Sequence, residues 1–305
     1  MDDKLREPVV AYFKDHENAT RSRQIMAFLE HEFDQPVKYV FPDSIAKFLE
    51  AINLQKELGG TAIFSGGDGL LNQGIPVIMN SSIDLLPLPG GTANDFSRES
   101  GWHPLPKKPF HLERKKIDCL EINGRPVLTV GGWGTGTIVI HTLERIRKNP
   151  KWKKHAARYG RWIYFWLAAY HSLRAGKHAF SYTITSGHSE VDSEIANALY
   201  ICNQAKLGNL FHVSKTSNNS DGSYEIISAK KRNGIFLLLR GLTTLLSKSN
   251  QSWSKLVLTT TTPVTITINE PGIPDFFADG EFVQSDIHSF HVRILPEAIN
   301  VIYRI

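Results

Sequence analysis

Thr61-Ala62-Ile63-Phe64-Ser65-Gly66-Gly67-Asp68-Gly69 decides how this chain is read. A short β-type run ends directly in a glycine loop, and a helical stretch follows it. Glycines in such a loop let the backbone come close to a ligand, and exposed N–H groups can then cradle phosphate oxygens. An aspartate in the middle of an anion site repels phosphate unless it handles a metal or a proton. Phosphoryl transfer needs that combination of phosphate cradle, divalent cation and nearby carboxylate. A simple turn is the alternative for this loop taken alone. It is not a Walker loop, because no Gly-Lys-Ser/Thr follows.

About twenty residues on, a second strand-like run, Asp84–Leu88, leads into Pro89-Gly90-Gly91-Thr92-Ala93-Asn94-Asp95-Phe96-Ser97-Arg98. Small residues again precede a hydroxyl, an amide and a carboxylate. Two such loops at the ends of neighbouring parallel strands would converge on one crevice, where α/β sheets bind ligands. The bland alternative is a turn with Asn94 or Asp95 capping a helix.

Outward from these loops, strands and helices alternate. Val9–Phe13 and Val37–Phe41 read as strands. Ser22–Phe33 and the stretch after Pro42-Asp43-Ser44 carry apolar residues at helical spacing. A short helix shortened by Pro76, then a strand near Val77–Met79, are expected behind the first loop. After about residue 116 the texture becomes that of strands joined by Gly- and Asn-bearing turns, with one helix from His155 to about Ala175. The predicted fold class is α/β in two lobes. The first is a doubly wound α/β domain over 1–116 plus 290–305. The second is a β-rich, largely antiparallel domain over 117–289.

At 305 residues, with 41% hydrophobic and 21% charged residues, the chain has the composition of a well-packed globular enzyme. Its start, MDDKLREPVV, does not read as a signal peptide. Cys119 and Cys202 each sit in an apolar strand-like stretch, which suits buried thiols in a reducing cytoplasm. No apolar run approaches the roughly 18–20 residues that span a bilayer. The net charge of +5 suits an acidic partner: nucleotide, nucleic acid or anionic membrane.

The pairing of Gly-Gly-Asp-Gly with Pro-x-Gly-Thr-Ala-Asn-Asp-Phe resembles the diacylglycerol kinase catalytic-domain family, which includes bacterial lipid kinases and sphingosine kinases. Asp279-Gly280-Glu281, Asp221-Gly222 and the Gly160–Tyr170 helix entry extend the likeness over nearly the whole chain. The resemblance implies an ATP-dependent lipid kinase that phosphorylates a hydroxyl of diacylglycerol or a related lipid, with ATP and Mg2+ as cofactors. The first domain would then bind ATP and the second the lipid. Gly66, Gly67, Asp68, Gly69, Asn72, Thr92 and Asn94 would line the nucleotide phosphates. Asp68 and Asp95 would organise magnesium, and Glu281 would be the general base. Asp221, with Asn218 and Ser223, resembles a second, structural magnesium site, although Ser217–Gly222 is also simply a good loop.

The chain departs from the family pattern at Leu70, at Gln73 and at His16–Ser22, where Asn18 and Thr20 replace the usual phosphate-contacting loop. Gly131–Gly136 has the wrong spacing for a dinucleotide fingerprint and reads as a close-packed strand or cleft-facing loop. Basic residues from Arg145 to Arg161 lead into Trp162, Tyr164, Phe165 and Trp166, which fits peripheral docking on anionic lipid, nucleic-acid binding through phosphate contacts and stacking, or a solvated helix. Gly234–Leu246 raises the same choice. The expected partners are ATP, a lipid-like alcohol and the inner membrane face; nucleic acid is not expected, and a homodimer stays open. The competing readings are a non-catalytic nucleotide- or lipid-binding relative and an NAD kinase, which shares the first loop but not the second.

Overall fold

A computed structural model describes residues 4–91, 94–149, 162–174, 179–207, 211–214, 216–232, 235, 255–269 and 275–305. The helices are α1 (Thr20–Glu32), α2 (Ile45–Leu58), α3 (Asp68–Ile78), α4 (Asp95–Glu99), α5 (Thr135–Lys148) and α6 (Trp162–Leu173). The strands begin with β1 (Val9–Phe13), β2 (Lys38–Val40), β3 (Gly60–Gly66), β4 (Ile83–Pro89), β5 (Leu112–Ile122), β6 (Arg125–Val127), β7 (Val130–Gly134), β8 (Phe180–Ser186) and β9 (Ser189–Cys202). They continue with β10 (Lys206–Leu207), β11 (Phe211–His212), β12 (Tyr224–Lys230), β13 (Lys255–Thr260), β14 (Val264–Ile268), β15 (Phe276–Ala278), β16 (Glu281–Val283) and β17 (Ser289–Arg304). The chain divides into two compact units, Met1–Asp118 with Pro296–Ile305, and Cys119–Leu295.

In the first unit β2, β1, β3 and β4 pair in parallel in that order, and the end of β17 adds in parallel beside β4, with Asn300 opposite Asp84. Every residue of β1, β3 and β4 is buried. That is why these strands read as continuous apolar runs rather than alternating ones. Side chains still alternate between faces. Val9, Ala11 and Phe13 join Ile25 and Leu29 of α1 and the buried Trp102 in one core. Tyr12 turns the other way, with its ring 5.7 Å from Phe48 of α2 and 5.9 Å from Phe64. Its hydroxyl donates to Gln55 Oε1 at 2.9 Å, and Gln55 Nε2 donates to the Thr61 carbonyl at 2.9 Å, so the polar atoms on that face are satisfied. Trp102 Nε1 donates to the Ile302 carbonyl at 2.8 Å and fastens the C-terminal strand.

Two local expectations behind the first loop are corrected. α2 does begin where Pro42-Asp43-Ser44 suggested, with the Lys47 N–H donating to Ser44 Oγ at 3.3 Å. However, Val77–Met79 is not a strand, and Pro76 does not shorten the helix. α3 runs through Pro76 to Ile78, and the Met79 N–H closes its last turn on the Ile75 carbonyl at 2.9 Å. A proline inside a helix costs about 3 kcal/mol relative to alanine. Burial of Leu71, Ile75 and Ile78 offsets it.

The second unit is antiparallel. β9 organises it: its first half pairs with β8, and its second half lies between β7 and β12. β14 joins β8 to the start of β17, and β15 joins β7 to β16. Leu120, Trp133, Tyr182, Leu199, Ile226, Ile266 and Phe290 share its core. Residues 125–134 form two strands, β6 and β7. Gly131–Gly136 begins as a close-packed strand: a Cβ on Gly132 would lie 2.2 Å from the Leu199 carbonyl oxygen. It then passes into α5, a helix the apolar spacing had not announced. Cys119 and Cys202 are buried thiols outside any disulfide. Burial, and then the Glu225 carboxylate, push the Cys202 thiol up, which suits an inert side chain. Of the helix expected from His155, the described part is Trp162–Leu173; Gly234 and 236–246 lie outside the described residues. Among the described residues no helix is long and apolar enough to cross a membrane.

Candidate active site

β1, β3 and β4 are parallel neighbours, so their carboxyl ends bring three loops to one edge of the first unit. The two glycine loops meet backbone to backbone. The Gly90 N–H donates to the Gly66 carbonyl at 2.7 Å. A Cβ on Gly90 would lie 2.4 Å from Gly66 Cα, and one on Gly91 would lie 2.5 Å from Gly67 Cα. Glycine is therefore required on both sides of the junction. Gly90→Ala is expected to force the loops apart and cost about 1–3 kcal/mol, read as a lower unfolding midpoint in denaturant.

Asp68 opens α3, and its carboxyl reaches the start of α4. The Phe96 N–H approaches Asp68 Oδ1 at 3.5 Å, and the amides of Asn94 and Asp95 also face this carboxyl. It thus stands where a capping side chain would for α4, whose own leading residue Asn94 supplies none. Burial pushes the Asp68 carboxyl above its ordinary range, and the backbone amides of Phe96, Asp68, Asp95 and Asn94 partly counter it. Part of the residue's surface remains accessible. Asp95, the first residue of α4, lies beside it.

Asn94 adopts a left-handed backbone (φ 52°) and is buried. Its Oδ1 accepts from the Gly90 and Gly91 amides at 3.1 and 2.6 Å, and its Nδ2 donates to the Gly91 carbonyl at 2.8 Å. Its side chain folds the second loop onto itself. Asn72, one turn into α3 from Asp68, has a buried Nδ2 with no hydrogen-bond partner among the described residues. A buried orphan donor beside a glycine loop is what a bound phosphate oxygen would satisfy. Thr92 lies outside the described residues.

Sequence reasoning missed Arg21. It follows Thr20 in α1, and its Nε donates to the Pro89 carbonyl at 3.0 Å. It therefore ties the start of α1 to the second glycine loop and brings a fixed positive charge there. The only sequence signal was its place inside the loosely matching His16–Ser22 stretch, where Asn18 and Thr20, the residues singled out, are exposed. Arg98 Nη2 approaches His103 Nε2 at 2.9 Å. Burial first, then the charges of Arg98 and Arg21, hold the His103 imidazole below its ordinary pKa.

In the second unit, Asp279 and Gly280 form the two-residue tip of the β15–β16 hairpin, both at positive φ (49° and 75°). Positive φ at both tip residues is the type I′ geometry that Asp-Gly favours, because it matches the twist of paired strands. Asp279 is not solvated. It accepts from the amides of Leu128 and Thr129 at 2.9 and 2.7 Å and from Thr129 Oγ1 at 2.6 Å. Asp279→Ala would orphan two amides and is expected to destabilise by on the order of 3 kcal/mol in denaturant unfolding.

Glu281 leaves the tip at the start of β16, and its Oε2 accepts from Arg125 Nη2 at 3.1 Å. The next amide, Phe282 N–H, donates to Glu144 Oε1 of α5 at 3.1 Å, and the Phe282 ring stacks on His141 at 4.4 Å. Arg125 and Glu144 carried no signal in the sequence, because they lie 156 and 138 residues from their partners.

The proposed second metal loop folds through its own side chains. Asp221 Oδ1 accepts from the Ser223 amide at 2.9 Å and its hydroxyl at 2.8 Å, and Asn218 Oδ1 accepts from Ser220 Oγ at 3.0 Å. Below it Glu225, buried and unremarked in the sequence, accepts from the hydroxyls of Ser214, Thr216 and Ser217. Among the described residues, no group of three or more His, Cys, Asp or Glu side chains could alone hold a metal. That does not disfavour magnesium at Asp68 and Asp95, since Mg2+ binds through one or two carboxylates with phosphates and water completing its shell.

With this geometry in place, the chain can be set beside known proteins. Residues 42–123 match the diacylglycerol kinase catalytic domain. The matched stretch holds both glycine loops, Asp68, Asn72, Asn94 and Asp95. Two solved structures of candidate diacylglycerol kinases from Bacillus anthracis str. Sterne are similar over nearly their whole length. One has 16% identity, 98% coverage of both chains and a TM-score of 0.72. The other has 17% identity, coverage of 98% of this chain and 97% of that one, and a TM-score of 0.68. A diacylglycerol kinase from the same organism gives 15%, 99% and 97% coverage, and 0.65. At such identities the likeness is one of fold: mixed α/β with a large sheet in two domains. No curated protein matches the chain.

Proposed function

We propose that this chain is an ATP-dependent lipid kinase that transfers the γ-phosphate to a hydroxyl of diacylglycerol or a related lipid. The observation that carries the reading is the junction of the two glycine loops, with Asp68 at the start of α4 and the orphan Asn72 amide beside it. In this reading the nucleotide domain, 1–116 plus 290–305, binds ATP through Gly66, Gly67, Gly69, Asn72 and Thr92. Asn94 serves by shaping the second loop. Arg21 adds positive charge where phosphate would sit.

Asp68 and Asp95 are the carboxylates that would hold Mg2+, which when bound neutralises phosphate charge during transfer. Glu281 is the general base that takes the proton from the lipid hydroxyl. The β-rich domain, 117–289, carries the acceptor lipid, and Asp221 with Asn218 and Ser223 is the candidate for a structural magnesium. Leucine at position 70 is compatible with turnover, because its side chain packs against Gly66 rather than opening the loop. The enzyme would work peripherally at the inner membrane face.

The test is magnesium-dependent transfer of label from γ-labelled ATP to a total lipid extract, which also identifies the acceptor. Binding of ATP with no labelled lipid from any extract would replace this reading with a nucleotide-binding relative. Labelling of NAD instead would make the chain an NAD kinase.

A further inference from the structure

Between Arg145 and Ser189 the sequence has ten Lys and Arg residues and no Asp or Glu. That exceeds the net +5 of the whole chain, so the remainder is acidic overall. The net positive charge of this protein is therefore concentrated in one stretch. α6 lies inside it. One side of the helix packs on α5, where buried His171 Nε2 meets Thr142 Oγ1 at 3.1 Å. On the other side Trp166, Tyr170 and Leu173, spaced i, i+4 and i+7, are 63%, 47% and 51% exposed. The Arg174 guanidinium lies 4.5 Å from the centre of the Tyr170 ring, at the end of the same face. Lys148 of α5 is exposed as well.

Single exposed apolar residues need no explanation, but a stripe of three on one helix face does. In water this stripe gains nothing. At a bilayer surface tryptophan and tyrosine sit at headgroup depth, leucine reaches the acyl boundary, and arginine and lysine meet lipid phosphate. Single-stranded nucleic acid would also use cations and aromatic rings, but Leu173 offers it no stacking face. We propose that the Trp166–Tyr170–Leu173 face of α6 is the surface by which the protein docks on an anionic bilayer. This deepens the proposed function by naming its membrane face, and the two can fail separately.

The experiment is co-sedimentation of the full chain with vesicles of phosphatidylcholine alone or mixed with phosphatidylglycerol. The parent protein should bind the anionic vesicles, less so as salt rises. The triple variant Trp166→Ala, Tyr170→Ala, Leu173→Ala should bind them at least about tenfold more weakly. Its thermal midpoint and its phosphorylation of detergent-dispersed lipid should be unchanged, because the replaced side chains are exposed. Equal vesicle binding by parent and triple variant would overturn the proposal. So would a triple variant that loses only oligonucleotide binding, or only self-association, while still sedimenting with vesicles. Asp68→Asn separates the two readings: it should bind vesicles like the parent whether or not the kinase reading stands. Vesicle binding through this face without any lipid phosphorylation would leave the docking surface and remove the kinase.

Discussion

Asp68→Asn is expected to abolish phosphoryl transfer, by at least about a hundredfold, while making the protein more stable at neutral pH. The asparagine oxygen can still accept from the α4 amides, so the junction of the two loops survives. What disappears is the charge that would hold the cation. Burial raises the Asp68 pKa above its ordinary value of 3.8. A carboxyl raised in the folded state binds more protons there than when unfolded, so it lowers stability as pH climbs from 3.8 through the folded pKa. Below 3.8 both states are protonated and the penalty vanishes. Unfolding midpoints of parent and variant should therefore converge in acid and separate above it, with the variant higher. Adding ATP and magnesium should raise the parent's midpoint and leave the variant's nearly unmoved. A variant that is destabilised at neutral pH, or that turns over normally, would remove Asp68 from the proposed site.

That trade between stability and function explains which parts of the molecule could be read in advance. The loop at Ser65–Gly69 was legible because its glycines answer to a local demand: Gly66 and Gly67 face Gly90 and Gly91 with no room for a side chain. The parallel sheet was legible because β1, β3 and β4 are buried on both faces and leave continuous apolar runs. Helix α3 was misjudged at Pro76 because the burial of Ile75 and Ile78 is a tertiary term that no local propensity carries. Arg21, Arg125 and Glu144 could not be singled out, since a surface-type charged residue announces its partner only when the chain has folded. Asp279 was visible as part of the Asp279-Gly280-Glu281 motif, but that its carboxylate is spent on Leu128 and Thr129 rather than on solvent was not. Asn94 looked like a ligand and is hydrogen-bonded into its own loop.

Glu281→Gln should lower the rate of transfer by about 10²- to 10⁴-fold, the usual worth of a general base. ATP binding should persist, because the glutamine removes a proton acceptor and no phosphate contact. Stability should barely change. The pair with Arg125 is 37% and 31% exposed at its two side chains, and ion pairs that accessible contribute at most about 1 kcal/mol. If Glu281 is the base, a pair of so little energetic worth, on a hairpin already held by Asp279 and by the Phe282 amide, would serve to aim the carboxylate. Arg125→Ala is accordingly expected to lower kcat roughly tenfold, with KM for ATP unchanged and the unfolding midpoint within error of the parent. Arg125→Lys should recover part of that loss, since an ammonium can reach one carboxylate oxygen without the planar fork. Single-turnover transfer with saturating ATP separates the cases. Full transfer by Glu281→Gln would mean that the lipid proton leaves by another route, whereas a change confined to KM would make Arg125 a binding residue and not a positioning one.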